Sequence, residues 1–535
     1  MYSVVLTASS AVFASTDVGR EIRLQFGAKW AWGEVVTYVS TTSVRVSLFE
    51  EIPLDSGTTD LLYNSGLADS WRFGAWSSTT GYPSTVVFHQ NRLIWGSTSA
   101  EPTTQWTTKS GDYYTFEPSD PENSIVADDN ALTVTLISRQ VNRYRWMDSG
   151  PVLLIGTEGA EWQVKPSSIQ AAITPTNVSA TVQTSYGGAP MNALRVGPSV
   201  LFVDRATLKI RELTYDYSID AYSAKDISII SEHIPRENGG IIDWAVQTSP
   251  YTILWLVLGN GKVASITYEK EHEVIAWGLH DFGGTVSSCC VTTSTSTTSP
   301  EDVVNFVVAR TVNGASVKYV ECITRILSGT GAAGEGAVYL NCHKVSAHAG
   351  AGVAGITTTH LVAATVDVVV DSVYIGQQVA TAGAIHIGYL ATVVAYGLPT
   401  TAIIGLLDLE GGSPAGNAQA KKKRIIESAA RVENSWYFKI ASSTIATNAT
   451  ENLTGSSDPT STDYTRIVPI LVLNTATAVG VPGTIVPYTG FAFVSGDVTF
   501  SPDDSFDTGA RFQIVQDEPY PLNVNALMHK LNTNE

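Results

Sequence analysis

Apolar and polar side chains alternate with a period of two along almost the whole chain, and this restricts its fold more than any other feature. Val44, Val46 and Leu48 share one face, with Arg45 and Ser47 on the other. Ala264, Ile266 and Tyr268 alternate with Ser265, Thr267 and Glu269, and Val366, Val368 and Val370 alternate with Asp367 and Asp371. A period of two is that of a strand with one covered face, and the 3.6-residue period of a helix is nearly missing. Continuous apolar runs such as Ile253 to Leu258 predict strands buried on both faces. The chain is therefore expected to be all-β.

The alternation comes in pairs. Strand pairs begin at Val86 (VVFHQNRLIWGST), Val152 (VLLIGTEGAEWQV), Ser199 (SVLFVDRATLKIREL), Tyr251 (YTILWLVLGNGKVASITYE) and Asp302 (DVVNFVVARTVNGASVKYVE). Several carry turn residues between their halves: Thr157-Glu158-Gly159, Gly259-Asn260-Gly261 and Asn313-Gly314. Starts about 66, 47, 52 and 51 residues apart lie close to the length of a propeller blade. The spacing predicts a β-propeller over roughly residues 80–325, with a β-sandwich as the alternative. Polar, glycine-rich seams occur at 292–299, 328–336, 411–416 and 450–463. They suggest a small N-terminal β domain (1–65), a propeller-like core (66–327), an inserted β domain (328–420) and a C-terminal β region completing the core (421–535). The expected class is thus multidomain all-β, with a central propeller-like domain and additional β-sandwich or barrel domains.

The 535 residues include 44% hydrophobic side chains, enough for a sizeable core. Charged residues are only 15%, below the usual ~25%. The formal net charge of −18 disfavours a protein that grips DNA, whose backbone is itself densely negative, but suits one that lets DNA slide past. The four cysteines, Cys289, Cys290, Cys322 and Cys342, lack zinc spacing and read as buried free thiols of a reducing compartment. The opening MYSVVLTASSAVFAS has no basic residue before its apolar run and reads as a strand, not a signal peptide. The uncharged stretch 372–407 is long enough for a bilayer, but its glutamines, glycines and Pro399 give strands and no membrane span.

No catalytic, cofactor or metal constellation stands out. Acids pair at Asp128-Asp129, Glu158/Glu161 and Asp503-Asp504, a pattern that could serve glycoside hydrolysis or calcium but reads first as turn chemistry. His272 lies among Glu269, Glu271 and Glu273 without a second His or Cys at ligand spacing. SPDDSFDTG from Ser501 comes nearest to a sialidase-type Asp box and lacks its spacing and tryptophan. The one basic run, Lys421 to Arg424, reads as a solvated strand edge, or as a contact to phosphate or an acidic partner. Twelve tryptophans and 22 tyrosines suit large interfaces or domain cores.

From Gly81 onward the chain resembles the tail nozzle (tail tubular) proteins of short-tailed bacteriophages. The segments that carry the resemblance are GYPSTVVFHQNRLIWGSTSAEPTTQWTTKSGDYYTFEP, DDNALTVTLISRQVNRYRWMDSGPVLLIGTEGAEWQVKP, ITPTNVSATVQTSYGG, VGPSVLFVDRATLKIRELTYDYSIDAYSAKDISIISEHI and YEKEHEVIAWGLHDFGG. HLVAATVDVVVDSVYIGQQVATAGAIHIGYLATVVAYGLP and the C-terminal RFQIVQDEPYPLNVNALM follow in the family's order. Together they cover roughly half the chain. The resemblance implies a structural, non-enzymatic subunit of a hexameric ring in the virion tail, assembled in the host bacterial cytoplasm. It further implies contact with the head-to-tail adaptor and portal, tail fibres or spikes on the outside, and viral double-stranded DNA passing through the lumen. In that frame 328–420 is expected at the nozzle tip or side. The family's N-terminal docking segment has no counterpart before LTASSAVFASTDVGREIRL, so docking is expected to differ or to use another polypeptide. The alternative is a tail protein that binds or hydrolyses glycans, with Asp128, Asp129, Glu158 and Glu161 as its acids.

Overall fold

Alternating β-branched and aromatic side chains form strands throughout, and the computed structural model contains one short α-helix, His233–Glu237, among the described residues. Those residues are 2–49, 67–138, 140–168, 171–293, 301–323, 338–348, 352–371, 373–409, 412–413, 416–417, 421–435, 438–441, 464–467, 494–501 and 512–533. The chain divides into two units, Met1–Ala245 and Val246–Glu535, with the division inside the strand Ile241–Gln247. The predicted seams at 328–336 and 450–463, most of 292–299, half of 411–416, and Asp503-Asp504 lie outside the described residues.

The first unit opens with a five-stranded antiparallel sheet. The N-terminal strand Tyr2–Thr7 pairs with Ser43–Leu48, Tyr2 opposite Leu48. Val44, Val46 and Leu48 are buried against Ile22, Leu24 and Phe13, as their alternation requires.

Three four-stranded antiparallel meanders follow. The first is Thr85–His89, Arg92–Gly96, Thr104–Thr107 and Leu132–Thr135. The second is Tyr144–Ser149, Leu153–Thr157, Glu161–Lys165 and Ser179–Thr184. The third is Leu194–Val196, Ser199–Val203, Ile210–Asp216 and Ala221–Asp226. They stack face to face. Leu153 and Ile155 turn towards Ile94 and Leu132 of the first meander. Leu154 and Trp146 turn towards Val200, Phe202 and Leu213 of the third. The first strands of the first two meanders run side by side, as do the fourth strands of the second and third. Equal strand order in stacked meanders is the arrangement of propeller blades. Trp146 is fully buried, and its indole lies where a Cβ on Gly156 would come within 2.0 Å and one on Gly188 within 2.5 Å.

The second unit continues with the strands Ile253–Leu258, Val263–Glu269 and Val274–His280, paired antiparallel as the last three of a four-stranded sheet. A three-stranded sheet follows, Thr285–Thr293, Asp302–Val312 and Ala315–Cys322. Trp255, Val257 and Val263 of the former pack against Val286, Val304, Phe306 and Val308 of the latter. Asn313 and Gly314 turn the last hairpin with positive φ at both positions, as their side chains predict.

Beyond this sheet lie two further pairs of sheets. In the first, Val366, Val368, Val370 and Tyr396 meet Ile385, Ile387 and Ala391 across a shared core, a β-sandwich. The uncharged stretch 372–407 supplies strands to it, including Val373–Val379, Ala384–Ala391 and Val393–Leu398. No described helix is long and apolar enough to cross a membrane. In the second pair, Ile425, Val432 and Phe500 pack on Phe438, Phe512 and Ile514. The strand Ala402–Gly405 pairs with Gln513–Gln516, joining this second sandwich from outside 421–535. The chain is thus all-β and multidomain, a propeller-like series of sheets with additional sandwiches.

The cysteine expectation needs correction. All four thiols are free and none is buried: Cys290 and Cys322 are exposed, Cys289 and Cys342 half-buried. Cys290 and Cys322 both stand opposite Asn305, on the outward face of the three-stranded sheet. Two strand spacings, about 9.5 Å, separate them, too far for a disulfide. Alternation decides their exposure, because Val304 and Phe306, the neighbours of Asn305, take the inward face.

Candidate functional site

A cleft of about 710 Å³ opens in the first unit, between loops of the first and second meanders. One wall begins at the tight turn Gln90-Asn91, where both residues have positive φ and close the hairpin between His89 and Arg92. Arg92 points inward from the following strand and is 3% exposed. Its guanidinium donates to three carbonyl oxygens, those of Thr108 (2.8 Å), Asn130 (2.7 Å) and Asp128 (2.7 Å). Burial lowers its pKa from the ordinary value, and the nearby Asp129 charge opposes that.

Those contacts clamp the long excursion between the third and fourth strands of the meander. The Ser110 N–H donates to the Asp129 carbonyl (2.9 Å), and the Asn130 carboxamide oxygen accepts from the Ala127 N–H (2.6 Å). Asp129 pairs with Lys109 at 3.4 Å. The opposite wall is the loop 171–177. There the Asn177 side-chain oxygen accepts from the backbone of Ser167 (2.8 Å) and Ser168 (3.2 Å). The Ile173 N–H donates to the Gln90 side chain at 2.8 Å, tying the two walls together.

The structure brings Asp128 and Asp129 to this cleft and places Glu158 and Glu161 elsewhere. Glu161 is fully buried and accepts hydrogen bonds from the Thr184 hydroxyl and the Tyr186 N–H. Burial pushes its carboxyl above the ordinary range, against those donors. Glu158 forms an ion pair with Arg145. His272 ends an exposed turn, Lys270–His272, with Glu273 in the left-handed region beside it. The basic run is divided. Lys423 is fully buried and donates to the Leu409 carbonyl (2.6 Å), while Lys422 and Arg424 are exposed. Alternation within the strand Lys423–Ser435 makes that division. Among the described residues no three His, Cys, Asp or Glu side chains converge as metal ligands.

Sequence reading missed Gln90, Arg92 and Asn177. An arginine inside a strand pattern carries no mark of burial, and Asn177 is one polar residue in a loop of several. The turn residues Gln90-Asn91, between Phe88-His89 and Arg92-Leu93, were the one available signal.

No family model matches the chain, and no curated protein matches it. Among solved structures it is similar to a protein from Lactobacillus plantarum, at 8% identity and TM-score 0.27, over 63% of this chain and 91% of that one. It is also similar to an auxiliary nutrient binding protein from Bacteroides thetaiotaomicron, at 9% identity and TM-score 0.24, over 60% and 82%. Human WBSCR16 aligns at 10% identity and TM-score 0.26, over 43% of this chain and 61% of its own length. Superpositions this loose carry no argument about the present chain.

Proposed function

We propose that this chain is a structural subunit of the tail nozzle of a short-tailed bacteriophage, forming a hexameric ring through which the genome is retained and then conducted. The ordered resemblance from Gly81 onward carries the reading. Its segments fall on successive sheets: GYPSTVVFHQNRLIWGST on the first meander, VLLIGTEGAEWQV on the second and SVLFVDRATLKIREL on the third.

Two physical features support it. Large apolar side chains are left uncovered in the single chain, among them Tyr217 at 90% and Ile230 at 91% exposure, as expected of surfaces that meet other subunits. Six copies of a chain with net charge −18 carry on the order of −100. If part of that charge lines the channel, the wall offers DNA no counterion-release affinity and so a low-friction passage. A closed ring requires head-to-tail contacts between unlike faces of the subunit. Its partners would be the adaptor and portal above and fibres or spikes outside, in a tail assembled in the bacterial cytoplasm. The subunit itself would carry out no chemistry.

The test is a reconstruction of the particle by electron microscopy, with mass measurement of the purified chain. The expected result is six copies around a channel lined by acidic residues. Particles whose tails contain the chain only as isolated monomers would overturn the reading.

A further inference from the structure

We propose that the cleft between the first and second meanders binds a neutral oligosaccharide. It is independent of the nozzle reading.

The first argument is charge. The cleft brings two carboxylates, Asp128 and Asp129, together with the buried Arg92, and Lys109 pairs with Asp129 at the edge. Two negative and two positive groups balance. An anion meets the carboxylates and a cation meets the guanidinium, so a ligand of either sign gains little. Uncharged hydroxyl groups can use the carboxylates as acceptors at no such cost.

The second argument is the lining. Ser110, Ser168, Thr174 and Thr176 add hydroxyls, which donate and accept as sugar hydroxyls do, and Gln90 adds a side-chain amide whose oxygen already holds the Ile173 N–H. Both walls are held before any ligand arrives. Arg92 fixes the backbone carbonyls at 128 and 130, Asn177 fixes 167 and 168, and the Gln90–Ile173 bond joins the walls. Polar groups already held in place lose little entropy on binding.

The third argument is an exposed aromatic pair in the same two segments. Phe88 stands two residues before Gln90, and Tyr113 three residues after Ser110. Their rings meet edge to face at 5.2 Å, and both are exposed. The Gly111 N–H donates to the Asn91 carbonyl at 2.8 Å, which holds the Tyr113 loop on the Phe88 hairpin. Exposed aromatic rings carried by the same hairpin and loop that supply Gln90 and Ser110 suit the apolar C–H face of a pyranose ring, while its hydroxyls meet the polar lining. The volume of about 710 Å³ lies within the range of small-molecule sites.

The experiment is titration calorimetry of the full-length chain with three neutral hexasaccharides, of glucose, of mannose and of N-acetylglucosamine. A sulfated hexasaccharide and a hexalysine peptide serve as charged probes. The expected result is saturable binding of at least one neutral sugar. Asp129→Asn and Tyr113→Ala should each weaken it about tenfold or more, with unchanged far-ultraviolet dichroism and thermal midpoint. Both positions are solvent-facing, so folding should survive. Tyr217→Ala, in the third meander, should leave binding unchanged. Failure of all three neutral sugars, binding confined to a charged probe, or sugar binding that both cleft variants leave intact would each overturn the proposal.

Discussion

At the scale of single residues, close packing and burial make the sharpest statements. Gly156 has Trp146 against it with no room for a methyl group. Gly156→Ala should destabilise the first unit by about 1–3 kcal/mol, read as a lower denaturation midpoint with unchanged slope. His89 is buried, with Nδ1 3.0 Å from the Ser149 hydroxyl, and burial lowers its pKa below the ordinary 6.5. The folded chain therefore binds fewer protons at this site than the unfolded chain does. The stability this contributes is complete above the unfolded value and is lost as pH falls through the lower folded one. The thermal midpoint should drop between pH 7.5 and pH 5.5, and His89→Gln should flatten that drop. An identical slope in the variant would assign the acid sensitivity to other groups. Ion pairs divide by burial in the same way. The Arg310 side chain is 2% exposed and grips Glu321 through Nε (2.5 Å) and Nη2 (2.7 Å). Arg310→Ala should cost about 3–5 kcal/mol in chemical denaturation, because it strands a carboxylate. The exposed Arg431–Asp497 pair has the same bidentate form, yet Arg431→Ala should leave stability unchanged within error.

At the scale of elements, the telling strands are those with no solvent face. All five residues of Leu153–Thr157 and of Ser199–Val203 are buried, because their sheets are covered on both sides or at their centre. Leu154→Ala and Ile155→Ala should therefore each cost about 2–5 kcal/mol, although the two side chains point to opposite faces. A strand with one wet face would show one large effect and one small one. The strand Thr85–His89 is of that kind, with Val86 and Phe88 exposed and Val87 packed on the core. There Val87→Ala should be the costly change and Val86→Ala close to neutral. Both comparisons need only urea denaturation curves. The strand pairs predicted from Val152, Ser199, Tyr251 and Asp302 are the second and third strands of their sheets. The pair from Val86 is instead the first and second of its meander. That shift in phase, with the long excursion from Lys109 to Ala131, explains why its spacing to the next pair is the longest.

At the scale of the whole molecule, the proposed ring of six rests on the ordered resemblance, and the acidic balance and uncovered apolar side chains are compatible with it. Mass measurement of the purified chain across ionic strength should show the assembly strengthen with salt, since screening relieves repulsion between acidic copies. What the sequence determined by itself is local. Alternation of period two specifies strands, a pair such as Asn313-Gly314 specifies a hairpin, and a run such as Ile253 to Leu258 specifies burial on both faces. Each depends only on neighbours a few residues apart. The tertiary structure decided what comes together from a distance. Alternation places Leu154 and Ile155 on opposite faces but cannot say that one meets Phe202 and the other Ile94. The spacing of the acids is equally silent on which of them share a site. Asp128 and Asp129 join Gln90, Arg92 and Asn177 because two meanders stack and their loops leave one end together. Glu161, which looked equivalent in the sequence, was carried inside by the strand that holds it. Stacking of sheets is set by the sum of many weak contacts between faces, and no short stretch of sequence contains that sum.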